Sequence, residues 1–168
     1  MQSEIITAYV GLGSNLGDRA GNLLLAVRGL MEASLFVNRL SAIYETEPIN
    51  IESELKFLNM VAEIHISSIS PKQMLARMLR IEYLLGRRRP PRSKAPRTVD
   101  LDLLLYGNLT HQTPFLTLPH PRLHERKFVL VPLTELSPHT IHPVLNNTVQ
   151  EILSEVADNS RVARWNPN

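Results

Sequence analysis

The chain has 168 residues, 43% hydrophobic and 20% charged, with 18 Lys and Arg against 16 Asp and Glu for a formal net charge of +2. A chain of that length and balance buries roughly two-thirds of its unfolded surface, which excludes a largely disordered protein and fits a single domain over residues 1–168. Cysteine is absent, which excludes a disulfide framework, a thiol nucleophile and Cys-ligated zinc, and no apolar run approaches the ~18 residues of a membrane span.

In chain order, residues 5–11 (IITAYVG) are β-rich and end in a glycine cluster, which predicts a first strand. Within 18–33, Leu23, Val27, Leu30 and Met31 recur at helical spacing. Residues 37–46 read as a second strand, and the polar stretch 47–56, broken by Pro48, reads as a loop. From Phe57 to Ile66, Leu58, Met60, Ala62, Ile64 and Ile66 share one face of a half-buried strand. Ser70-Pro71-Lys72-Gln73 is a capping box with proline at the first helical position. The helix it opens carries Met74, Leu75, Met78, Leu79 and Leu85 and stops at Gly86. Thr98 to Tyr106 is a strand closed by a Gly107-Asn108 turn. A helical stretch around 122–136 and a final helix capped by Thr148 and Glu151 follow. The order β-α-β-β-α-β predicts an α+β sandwich of the ferredoxin-like, split β-α-β kind, with helices on one face of an antiparallel sheet.

Charge is concentrated where the net value hides it. Arg87, Arg88, Arg89, Arg92, Lys94 and Arg97 fall in eleven positions without a carboxylate. Such a block suits an anionic partner: nucleic acid, a membrane surface or a nucleotide phosphate chain. Pro90, Pro91 and Pro96 argue against helix there, making it a candidate lid. It runs directly into a strand on which Asp100 and Asp102 leave the same face, about 6–7 Å apart. Val99, Leu101, Leu103 and Leu105 form the expected core row opposite. Two carboxylates side by side repel unless a cation lies between them, and all-oxygen donors suit Mg²⁺; a solvated pair on an open sheet face is the bland alternative. Arginine forks beside carboxylate-held magnesium match the demands of phosphoryl transfer.

Other motifs narrow the field. No G-K-[ST] occurs, which excludes a Walker P-loop, and the third glycine of Gly11-Leu12-Gly13-Ser14-Asn15-Leu16-Gly17 comes one place late for G-x-G-x-x-G. His120 and His124 do not form H-E-x-x-H, so zinc is not expected; His139 and His142, among prolines, read as surface residues. An RNA-binding sheet needs aromatic residues for base stacking, and the chain is 5% aromatic with two aspartates on the relevant face.

Taken together, GLGSNLGD (11–18), YETEP (44–48), FLN (57–59), RIEYLLGR (80–87), PRTVDLDLLLYG (96–107), LPHPRLHERKFVLVPL (118–133) and the terminal HPVLNNTVQEIL resemble the 6-hydroxymethyl-7,8-dihydropterin pyrophosphokinases of folate biosynthesis, in the family's order and over nearly the whole chain. The resemblance implies transfer of the β,γ-pyrophosphoryl group of ATP to the pterin hydroxymethyl oxygen with release of AMP. It implies two Mg²⁺ on Asp100 and Asp102, with Arg87 and Arg97 stabilising the phosphates. ATP contacts are implied for Glu82, Arg87, Arg97, Leu103, Thr117, His120 and Arg126. For the pterin it implies Asn59 as hydrogen-bonding partner, Phe57 and Phe128 as stacking faces, and edge contacts around Thr46, Glu47 and Ile49. Partners are then the two small-molecule substrates, without nucleic acid or membrane, acting on a monomer in the cytoplasm. The chain departs from better-known members at Lys94 and Ala95, where those have tryptophan and glycine, at Pro90-Pro91, and at Glu47, a proline in some.

Overall fold

Strand β1 (Ile6–Ser14) turns Ala8, Val10 and Leu12 to one side of the sheet and Tyr9, Gly11 and Gly13 to the other. The computed structural model describes residues 3–47, 55–86 and 98–168, and β1 is the second strand of its main sheet. Helix α1 (Arg19–Glu32) starts where the Asp18 carboxylate accepts the Gly21 amide at 3.0 Å, and buries Leu23, Ala26, Val27 and Leu30. Met31, expected on that face, is exposed. The strand read over 37–46 is two strands, β2 (Phe36–Leu40) and β3 (Tyr44–Thr46), each pairing a different part of β4 (Phe57–Ile66).

Helix α2 (Pro71–Leu84) carries the expected capping box, and its chain reverses at Gly86, whose φ of +104° favours glycine. Next comes β5 (Asp100–Tyr106), and the sheet order β5-β1-β4-β3, antiparallel throughout, is the ferredoxin-like arrangement. A small hairpin, β6 (His111–Gln112) and β7 (Thr117–Leu118), precedes a 3-10 turn (Leu123–Glu125), α3 (Lys127–Leu136) and α4 (Val149–Glu155). The helix expected around 122–136 is thus broken at Arg126, which has an extended backbone and serves as N-cap of α3. Finally β8 (Val162–Arg164) pairs with the outer edge of β3.

Helices cover both faces of the sheet, not one. The core row of β4 and the residues Ala8, Val10 and Leu12 pack against α1 and α2, whereas Tyr9, Val61, Leu104 and Leu105 pack against α3 and α4. The short loops of the split βαβ units place α1 and α2 together; the chain after β5 was free to cross to the other side. Leu105 also leaves the row expected for it. The β1–β5 register slips between Tyr9 and Val10, so one extra β5 residue is accommodated and Leu104 and Leu105 both enter the α3/α4 core. A bulge of this kind flips side-chain alternation beyond it without disturbing the aspartates before it.

Candidate active site

The candidate site lies on the α3/α4 side of the sheet, at the end where Asp100 and Asn59 stand. Register pairs run Asp100–Gly13–Asn59–Tyr44 across β5, β1, β4 and β3, with Asp102–Gly11–Val61 alongside. Two half-buried carboxylates therefore sit on the strand two places from Asn59, roughly 10 Å away at ordinary strand spacing. Between them lie only glycines. Gly11 and Gly13, at and just beyond the end of the strand predicted over 5–11, are both inside β1 and form a floor without side chains. Their G-x-G spacing matches the period of two in a strand, a signal available in the sequence but masked by the more familiar association of glycine with turns.

An arginine and a histidine close on Asp102 from the segment after the β6–β7 hairpin. Arg126 Nη1 lies 3.6 Å from Asp102 Oδ2, and His120 Nε2 lies 3.9 Å from Oδ1. The bulge anchors this segment: the Leu104 carbonyl accepts the His120 amide at 2.9 Å. His120 Nδ1 accepts the Arg122 amide at 3.1 Å, which leaves Nε2 as the protonated nitrogen of the neutral ring, facing Asp102. Burial, with help from the neighbouring Arg126, pushes the His120 pKa down to about 4, so the imidazole is neutral at physiological pH. Burial also lowers Arg126, with Asp102 opposing that shift, and an arginine remains charged regardless. Arg126 also stands 5.7 Å from the centroid of the Phe128 ring, holding that half-buried ring at the first turn of α3.

Other expected site residues fall around this row. Thr46 is buried on β3, and its hydroxyl is 3.5 Å from Asn59 Nδ2; Phe57 is half-buried opposite Thr46, and Glu47 is exposed just beyond the strand. Phe57 and Asn59 face away from the Leu58/Met60 row, as their spacing predicts. Glu82, on α2, is 2% exposed and accepts the Leu101 amide at 3.3 Å, so it holds the start of β5 between the two aspartates. Leu103 points into the α1/α2 core, leaving only its backbone for a ligand. Thr117 lines a concavity of about 400 Å³ together with His120, His111 and His124. His142, expected on the surface, is 4% exposed at its edge. Arg87, Arg97 and Ile49, and the candidate lid with Lys94 and Ala95, lie outside the described residues.

For a metal, the donor chemistry fits. Two carboxylates side by side present hard oxygen donors, and Mg²⁺ is usually held by one or two carboxylates with substrate phosphates and water completing its shell. No third His, Cys, Asp or Glu joins them in a ligating cluster among the described residues.

A ferredoxin-like sheet with a carboxylate pair, an adjoining arginine and an apolar-polar shelf two strands away suits a transferase. The family described as 7,8-dihydro-6-hydroxymethylpterin-pyrophosphokinase matches residues 9–138. The chain is 46% identical over 130 residues to the 2-amino-4-hydroxy-6-hydroxymethyldihydropteridine pyrophosphokinase of Bacillus subtilis, covering 77% of each. It is 37% identical over 150 residues to that of Aquifex aeolicus, covering 89% of this chain and 91% of the relative. Among solved structures, the Plasmodium falciparum HPPK-DHPS in complex with pteroate superimposes with a TM-score of 0.72 at 18% identity, over 92% of this chain and 43% of that one. The chain belongs to the 7,8-dihydro-6-hydroxymethylpterin-pyrophosphokinase family and is a pyrophosphokinase of folate biosynthesis. Among the described residues, no helix is long and apolar enough to cross a membrane.

Proposed function

We propose that this chain transfers the β,γ-pyrophosphoryl group of ATP to the hydroxymethyl oxygen of 6-hydroxymethyl-7,8-dihydropterin and releases AMP. The pterin oxygen attacks the β-phosphorus, the bond from that phosphorus to the oxygen bridging it to the α-phosphate breaks, AMP leaves with the bridging oxygen, and the hydroxyl proton passes to solvent. The observation that carries this reading is the row Asp100–Gly13–Asn59 with Asp102 beside it, a metal-type carboxylate pair and a heterocycle-type amide on one face with an open floor between.

Asp100 and Asp102 would hold the Mg²⁺, two ions by resemblance, which when bound neutralise phosphate charge and polarise the reacting oxygens. Arg126 and His120, aimed at Asp102, fit contacts to the phosphate chain, His120 as a neutral Nε2–H donor. Arg87 and Arg97 would add charge where it develops in the transition state, a role that rests on sequence alone. Glu82, Thr117 and the Leu103 backbone fit the remainder of the nucleotide. Asn59, Thr46, Glu47 and Ile49 would read the pterin edge, with Phe57 and Phe128 as stacking faces, since a flat neutral heterocycle needs both. The resemblance implies a single-domain enzyme working as a monomer in the cytoplasm.

The test is AMP formation from ATP and Mg²⁺ with and without the pterin. Pterin-dependent AMP abolished by EDTA supports the reading. ADP as product would mean attack at the γ-phosphorus and would refute it.

A further inference from the structure

The family match ends at residue 138, yet the chain returns afterwards to the substrate side of the sheet. Strand β8 pairs antiparallel with β3, setting Arg164 opposite Tyr44 and Val162 opposite Thr46. On its other side β3 sets Tyr44 opposite Asn59 and Thr46 opposite Phe57. Tyr44 and Thr46 are two residues apart on one strand, so they share the face that carries Asn59 and Phe57.

One carboxylate gathers these elements. Glu135 Oε1 accepts Arg164 Nη2 at 2.7 Å and the Tyr44 hydroxyl at 3.3 Å, while Oε2 accepts the Ala42 amide at 2.7 Å. Glu135 stands seven residues beyond Phe128 on α3, two helical turns along the same face. It thereby ties the helix that presents Phe128 to the strand that presents Thr46, and ties both to the C-terminal strand.

We propose that Glu135, with Tyr44 and Arg164, is a positioning device for the heterocycle, fixing the separation between the α3 stacking face and the β3–β4 hydrogen-bonding edge. The inference rests on the pterin reading of Thr46, Asn59 and Phe128. The charged pair is an exposed contact at its arginine end, with Arg164 68% exposed, so it adds little to global stability. Its consequence is geometric: a pocket that must hold a flat ring between fixed walls is sensitive to displacements well below those that unfold a domain. The nucleotide side, built on β5 and the segment around His120, has no member in this network.

Glu135→Ala, Arg164→Ala and Arg164→Lys, assayed by pterin-dependent AMP formation with both substrates varied, test it. The KM for the pterin is expected to rise roughly tenfold in Glu135→Ala, while the KM for ATP and the melting temperature stay near wild type. Arg164→Ala is expected to give a smaller rise, and Arg164→Lys to restore most of the affinity by keeping the charge. Unmoved pterin KM values in active variants overturn the inference, as does a parallel loss of kcat, both affinities and melting temperature. Should Glu135→Ala not fold, Arg164→Ala and its lysine counterpart carry the same comparison. Wild-type protein that makes no AMP with the pterin overturns the assigned reaction, and this inference with it; active wild type with unmoved variants overturns the inference alone.

Discussion

Gly13 and Asn59 face each other across β1 and β4, and a Cβ built on Gly13 would stand 2.8 Å from Asn59 Oδ1. That oxygen therefore occupies space that only glycine concedes. Gly13→Ala should turn or displace the Asn59 carboxamide and raise the pterin KM by roughly tenfold or more, with little change for ATP. Gly11→Ala is the comparison: its Cβ would meet the Leu104 methyls at 3.6 Å, ordinary contact, so it narrows the same floor without displacing Asn59 and should raise the pterin KM less than Gly13→Ala does. Steady-state kinetics on the two variants decide it, and equal behaviour would remove Gly13 from the site.

Asp100→Ala and Asp102→Ala should each lower kcat by several kcal/mol of transition-state stabilisation, on the order of 10²–10³-fold or more, because they place the metal. Asp102→Asn keeps the shape of the side chain and removes the charge opposite Arg126, and should be nearly as damaging. Near-wild-type AMP formation in any of these would separate the carboxylates from the chemistry.

Which parts of this were legible beforehand follows from how local the signal was. Periodicity in β4 and the capping box of α2 are short-range, and both elements stand where the sequence places them. The same-face projection of Asp100 and Asp102 needed only strand geometry. By contrast, the second helical layer on α3 and α4 was invisible because an apolar stripe says that a helix is buried, not against which face. The bulge at Leu104 escaped for a related reason: Leu103 faces one core while Leu104 and Leu105 both face the other, and three leucines in a row carry no mark of where the alternation breaks. Strand β8 has only three residues and owes its existence to the free edge of β3.

His142 shows the same limit and carries a pH prediction. Its Nδ1 accepts the Val144 and Leu145 amides at 3.2 and 3.1 Å, and burial, then the neighbouring His124, lowers its pKa below the ordinary histidine value. Protonation would remove the acceptor, so the folded state binds this proton less readily than the unfolded chain does. The stabilising contribution is complete above about pH 6.5, and is lost as pH falls from there through the lowered folded pKa. His142→Asn should flatten the acid side of the melting-temperature profile between pH 7 and 5 relative to wild type. Parallel profiles for the two proteins would place the acid sensitivity elsewhere.

The helical layer that backs the sheet is tightly packed where α1 crosses α2. Gly29 lies inside α1, where replacing glycine by alanine ordinarily gains about 1 kcal/mol of helix propensity. Here a Cβ would stand 2.9 Å from Ile81 Cγ2 and 3.3 Å from its Cγ1, and Ile81 is itself buried at 5% exposure on α2. A β-branched side chain has one comfortable rotamer in a helix, so it cannot swing aside, and the two helices must separate. Overpacking of this kind costs about 1–3 kcal/mol, which offsets or exceeds the propensity gain. Gly29→Ala should therefore leave stability unchanged or reduced in urea denaturation, and Gly29→Ala with Ile81→Leu should recover part of the loss, because leucine carries a single carbon on Cβ and so lacks the branch that makes the contact. A single mutant clearly more stable than wild type would show that α1 has room to move away from α2.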